Sequence, residues 1–185
     1  MCCLLVISTV SAEPAVQINT RFYTVTGHTV EDLHRSLTSR GPSGEDGQPY
    51  HAHTEWNLNW HYRWVESRSK CRVSQVEVRV DINYLLPQLD PSIRLPAQLQ
   101  ADWDAYNNAL YRHEQQHKDH GIQAARELEQ QLLFINEPED CRQLQSHLQQ
   151  TSQRVMDKYD RLDKDFDRKT NHGINDGVVF PAIKR

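Results

Sequence analysis

The clearest alternation in this chain lies between residues 52 and 64. Ala52, Thr54, Trp56, Leu58, Trp60, Tyr62 and Trp64 take turns with His53, Glu55, Asn57, Asn59, His61 and Arg63. A period of two places each set on one side of a strand. The tryptophan-rich side predicts a core face packed on helices, with a ligand platform as the competing reading. The polar side, which also takes in His51, reads as a solvated sheet face and is assigned no site. Two more segments alternate. Val16, Ile18, Thr20, Phe22 and Thr24 share a parity in a strand over Val16–Thr26 that stops at Gly27. Val76, Val78, Val80, Ile82 and Tyr84 share one in Cys71–Leu86. Cys71 and Val73 are out of phase with that set, which a bulge near Ser74 repairs, and the strand is expected to end before Pro87.

Elsewhere the apolar spacing is helical. Thr29 reads as an N-cap, with Glu31 and Asp32 in the first turn and Leu33 and Leu37 on one side, for a short helix halted by Gly41-Pro42. Leu99, Trp103, Tyr106 and Leu110, then Ile122, Ala125, Leu128 and Leu132, predict one helix from near Ala97 to about Phe134, with Gly121 its interior weak point. After a break at Pro138, a second helix from about Glu139 carries Leu144, Leu148, Val155, Tyr159 and Leu162. The expected fold is α+β: a small antiparallel sheet of about three strands against two long antiparallel helices.

At 185 residues the chain suits one domain. The net charge of −4 and scattered basic residues lack the footprint of a nucleic-acid binder. Residues 1–12 are small or apolar and end in Val10-Ser11-Ala12, so they read as a signal peptide, though without a basic start; residues 13–185 are then the mature domain. No other segment approaches a membrane span. A periplasmic or secreted location is expected. Cys71 and Cys141 remain after the leader with its Cys2 and Cys3, which suggests one disulfide; free thiols or soft metal ligands are the alternatives.

The candidate chemistry sits in the middle of the long helix, at His113-Glu114-Gln115-Gln116-His117. Positions i and i+4 share a helix face, so two imidazoles can converge on one zinc ion while Glu114, one residue round, serves as general base. The plainer alternative is a pair of hydrogen-bonded core histidines. Catalytic zinc needs a third protein ligand. His120 is on the same face but lies about 10 Å along the axis from His113, too far for one straight helix to surround an ion, and reads as a supporting or surface residue. Glu137, Glu139, Asp160 and Asp167 are possible ligands, but His172, beside Gly173 in a turn after the second helix, is the preferred one.

The run Trp103, Tyr106, Leu110 and His113-Glu114-x-x-His117, the separated Cys71 and Cys141, and the tail Phe166-Asp167-x-x-Thr170-x-His172-Gly173-x-x-x-Gly177 resemble a bacterial domain-of-unknown-function family. So do Tyr23-x-Val25-x-Gly27-x-Thr29 and the Gly41-Pro42 turn. The resemblance spans nearly all of the mature chain and departs from the family at Phe166, where tyrosine is usual. Its members are described as secreted zinc-dependent proteases, a label itself drawn from the zinc motif. The resemblance implies His113 and His117 as ligands, Glu114 as base and His172 as third ligand. The expected activity is therefore that of an exported zinc peptidase acting on protein or peptide substrates. The contrasting expectation is a non-catalytic binding or scaffold module whose metal is structural or missing.

Overall fold

The computed structural model describes residues 13–44, 47–67, 70–135 and 140–182. The leader read in residues 1–12, and the break and candidate ligands at Glu137, Pro138 and Glu139, lie outside the described residues. In chain order the elements are β1 (Ala15–Val25), α1 (Val30–Arg40), β2 (His53–Ser67), β3 (Lys70–Leu89), α2 (Ala97–Leu133) and α3 (Cys141–Thr170), then a single 3-10 turn at Ile174–Asp176.

The three strands form one sheet in the order β1-β3-β2. β2 and β3 pair antiparallel, and their register shifts where Arg63 faces Gln75 but Trp64 faces Val73. Ser74 is therefore the extra residue, at the expected bulge. Beyond it Cys71 and Val73 join Val76, Val78, Val80 and Ile82 in the core. The sheet is mixed and not wholly antiparallel, because β1 runs parallel to β3 on its other side, from Ala15 opposite Arg79 to Val25 opposite Leu89. β3 also outruns its expected end and passes through Pro87, which pairs with Tyr23. β2 has already ended at the level of Leu85, so among the described residues one flank of β3 has no strand there and a residue without an N–H is tolerated.

α2 packs across β3 and β2. Its buried stripe runs Leu99, Trp103, Tyr106, Leu110, His113, His117, Gly121, Ala124, Leu128 and Leu132, the spacing of one helix face. Ala52, just before β2, and Thr54 and Leu58 within it turn into the core, as the alternation predicts, while Trp64 toward the end of β2 is half exposed. The first part of β1 lies beyond the helical cover, whereas its end packs on α1 and buries Val25. Val16, Ile18 and Phe22 stand in register with the buried Val80, Ile82 and Leu86 yet remain about half exposed.

α3 starts from an Asp140 N-cap, whose carboxylate accepts from the Gln143 N–H at 2.8 Å. It runs antiparallel to α2: Lys158 reaches Glu127, Asp163 reaches His120 and Asp167 reaches His113. Leu144, Leu148, Val155 and Tyr159 are buried, while Leu162 is partly exposed. The Cys71–Cys141 disulfide, with a Cα–Cα distance of 5.1 Å, ties the start of β3 to the start of α3. Among the described residues no helix is long and apolar enough to cross a membrane.

Candidate metal centre

His113 and His117 lie where the buried stripe of α2 meets α3, and both are buried. Their Nε2 atoms are 3.4 Å apart, and each is 3.1 Å from Oδ1 of Asp167. The three atoms make a nearly equilateral triangle. A zinc ion with bonds of about 2.0 to 2.1 Å requires donors about 3.3 to 3.4 Å apart in a tetrahedron, so two imidazoles and a carboxylate here fit its size and its ligand chemistry. The three donors come from two helices, His113 and His117 from α2 and Asp167 from α3.

The local sequence explains why Asp167 arrives there. Asp163 and Asp167 are one turn apart on α3 and face His120, His117 and His113 on α2. Phe166 stacks on the His113 ring at 4.7 Å between centroids, with an interplanar angle of 19°, and meets His117 edge-on. The helix then closes in a Schellman arrangement. The His172 N–H donates to the Asp167 carbonyl at 2.8 Å, and the Asn171 N–H to Arg168 at 3.4 Å. Asn171 and His172 both take left-handed backbone with φ of 51°, and Gly173 follows at 84°. Gly173 lies against the back of His113: a Cβ there would stand 3.1 Å from its Cγ and 2.6 Å from Val178 Cγ2.

This turn folds the tail back over the motif helix. Phe180 is buried against His34, Trp103 and Tyr106, and His34 Nε2 lies 2.8 Å from the Pro181 carbonyl. The turn does not bring His172 into the triangle. Its side chain is about half exposed, its Nδ1 is 3.9 Å from Asp167 Oδ1, and its ring leans on Tyr50. The physical reason is that His172 lies past the helix end, on a backbone that turns away, whereas Asp167 is still on the face that α3 presents to α2. Asp160 pairs with Lys164 on the surface.

Glu114 is buried beside the triangle. Thr54 of β2 donates to its Oε2 at 2.6 Å. Burial raises the proton affinity of this carboxyl, and the opposing pull of Thr54 and the nearby histidines does not cancel the effect. Asp167 goes the other way. Burial alone would raise it, but hydrogen bonds from His113 and His117 hold it well below the usual carboxylate range. In the metal-free protein burial disfavours charge on His117, yet its bonds to Asp163 and Asp167 prevail and lift its pKa to about 10.

Three contributors escaped the sequence reading. Asp163 Oδ1 sits 2.9 Å from His117 Nδ1 and 2.6 Å from His120 Nδ1, and its Oδ2 accepts from Trp56 Nε1 at 2.7 Å. The alternation of β2 marks Trp56 and Thr54 only as core residues. The available signal was the i, i+4 pair Asp163 and Asp167, matching the pair of motif histidines on α2. His113 Nδ1, by contrast, is buried with no hydrogen-bond partner among the described residues.

No curated protein and no solved structure matches the chain. A family model described as a bacterial protein of unknown function does match, over residues 20–173, a span that holds the second half of β1, all of β2 and β3, the helices α1, α2 and α3 and the whole donor triangle. The chain belongs to that family, DUF922.

Proposed function

We propose that this protein is an exported zinc metallohydrolase, a peptidase, with His113, His117 and Asp167 as metal ligands and Glu114 as general base. The observation that carries this reading is the donor triangle, whose edges of 3.1, 3.1 and 3.4 Å suit a tetrahedral ion and lie next to a buried carboxyl of raised proton affinity. Zinc, when bound, supplies a Lewis acid that polarises a carbonyl and makes water easier to deprotonate near neutral pH.

The chain's own residues do the rest. Glu114 follows His113 directly on the helix, so its carboxyl flanks the ligand set without being a member of it. Thr54 holds Oε2, and Oε1 is the atom we assign to taking up a proton and passing it to the leaving group. Asp167 contributes negative charge that favours a cation over the two protons the histidines would otherwise share with it. His172, at the exposed rim, stays out of the ligand set in this reading.

The test is zinc content and affinity for wild type, His113→Ala, Asp167→Ala and His172→Ala, with hydrolysis of unbiased peptide libraries by wild type and Glu114→Gln. One tight zinc per chain is expected, lost in the first two variants and kept in the third. Glu114→Gln should keep zinc and lose hydrolysis. A wild type that takes up no zinc sinks the proposal; zinc retained by Asp167→Ala but lost in His172→Ala returns the third position to His172. Tight zinc with no hydrolysis of any library favours the binding module.

A further inference from the structure

We infer that Asp163 is a positioning residue that fixes the tautomer of His117, and that Trp56 locks Asp163 into that role. The inference rests on the ligand reading proposed above. A neutral imidazole carries one N–H, and a nitrogen that bears a proton cannot bind a metal. For Nε2 of His117 to bind, the proton must sit on Nδ1, and Nδ1 is 2.9 Å from Asp163 Oδ1. A carboxylate can only accept, so it selects the Nδ1–H form and aims Nε2 at the triangle.

Trp56 makes the selection strict. Its indole Nε1–H can only donate, and it donates to Asp163 Oδ2. The two oxygens of Asp163 thus face donors on opposite sides, Trp56 on one and His117 with His120 on the other. Trp56 is anchored in turn, because its Cβ and Cγ lie against Gly121 of α2, one turn beyond His117. The β2 strand therefore reaches the ligand set through a chain of contacts, Trp56 to Asp163 to His117.

An amide at position 163 exposes the logic. In Asp163→Asn one side of the group is an oxygen and the other an NH2. The Trp56 N–H holds the oxygen toward itself, which turns the NH2 toward His117. His117 Nδ1 must then accept, its proton moves to Nε2, and the metal position is blocked. Removing the indole N–H with Trp56→Phe frees the amide to flip and present its oxygen to His117 again.

The experiment measures zinc affinity, by competition with a chromophoric chelator, for the full mature chain and for Trp56→Phe, Asp163→Asn and the double variant. Asp163→Asn is expected to bind about 10- to 100-fold more weakly than wild type, the usual effect of losing a ligand's supporting carboxylate. The double variant should bind more tightly than Asp163→Asn, although it carries more damage. Nitrogen-15 spectra of zinc-loaded wild type should show the His117 proton on Nδ1. Affinity unchanged in Asp163→Asn, no recovery in the double variant, or an unprotonated Nδ1 in zinc-loaded wild type overturns the inference while leaving the metal site standing. A wild type that binds no zinc removes the metal reading, and this inference with it.

Discussion

Replacing Gly121 by alanine sets two effects of opposite sign against each other. Alanine is the better helix former by about 1 kcal/mol in a helix interior, so on propensity alone the variant gains stability. The packing argues otherwise. A Cβ at residue 121 would lie 2.7 Å from Cγ and 2.8 Å from Cβ of Trp56. That is about 0.8 Å inside the optimal carbon separation of about 3.5 Å. The atoms struck are the root of the tryptophan, which cannot swing aside while its indole keeps the 2.7 Å bond to Asp163. Either α2 lifts from β2 or Trp56 leaves its place. Overpacking of this severity belongs at the upper end of the usual penalty, about 3 kcal/mol, which leaves a net loss of about 2 kcal/mol. For a domain of this size the midpoint of thermal unfolding should fall by about 4 to 8 °C. Urea titration of the metal-free, disulfide-intact protein checks the free energy directly. A variant as stable as wild type, or more so, would refute the claim that contact with Trp56 is what requires glycine here.

Replacing both Cys71 and Cys141 with serine should cost roughly 4 kcal/mol on a chain-entropy estimate for their 70-residue separation, and an unshifted urea midpoint refutes it. In the metal-free protein the raised His117 pKa contributes stability that is fully present below about 6.5 and is lost as pH rises toward about 10. Urea midpoints in chelator at pH 7 and pH 9.5 should therefore differ, the first being higher, and zinc should narrow the gap because its binding displaces that proton. Thr54→Val removes the 2.6 Å bond that holds the Glu114 proton affinity down, so the acidic limb of a hydrolysis–pH profile should move to higher pH; an unmoved limb would falsify Glu114 as the titrating base. Gly173→Ala puts a Cβ against His113 and Val178 on left-handed backbone, which alone costs about 1 to 2 kcal/mol, and should lower both stability and zinc affinity. Wild-type values for both would show that the tail does not press on His113.

Much of this architecture is legible in one dimension because it is periodic. The α2 stripe, the β2 alternation and the phase slip at Ser74 are each local patterns that a short window reveals, and the structure follows them. The two motif histidines are legible for the same reason, being a single turn apart. The parallel pairing of β1 is not, since strand direction depends on how the chain returns to the sheet after α1 and β2. Asp167 stood among several possible third ligands, and periodicity could not raise it above His172. Both lie near the end of α3, and which one meets α2 depends on where that helix stops and on the left-handed turn at Asn171 and His172. Asp163 escaped altogether, because an exposed-looking acidic residue on a charge-rich helix is recognised only when the facing helix is in place.

The position of β1 bears on the order in which the sheet assembles. β2 and β3 lie close together in the chain, Ser67 pairing with Lys70, so bringing them together closes a small loop, and α2 is the next element after β3. β1 must instead find a partner about 64 residues away, with α1 and all of β2 threaded between. Loop-closure entropy delays such a pairing, and the parallel ladder gives a slightly weaker bond per residue once made. With one edge unpaired among the described residues and Val16, Ile18 and Phe22 half in water, β1 also has less to hold it than its neighbours. The hairpin and α2 can thus form a scaffold that β1 joins late in refolding, and amide exchange along Ala15–Val25 should outpace that of β3 in the native state.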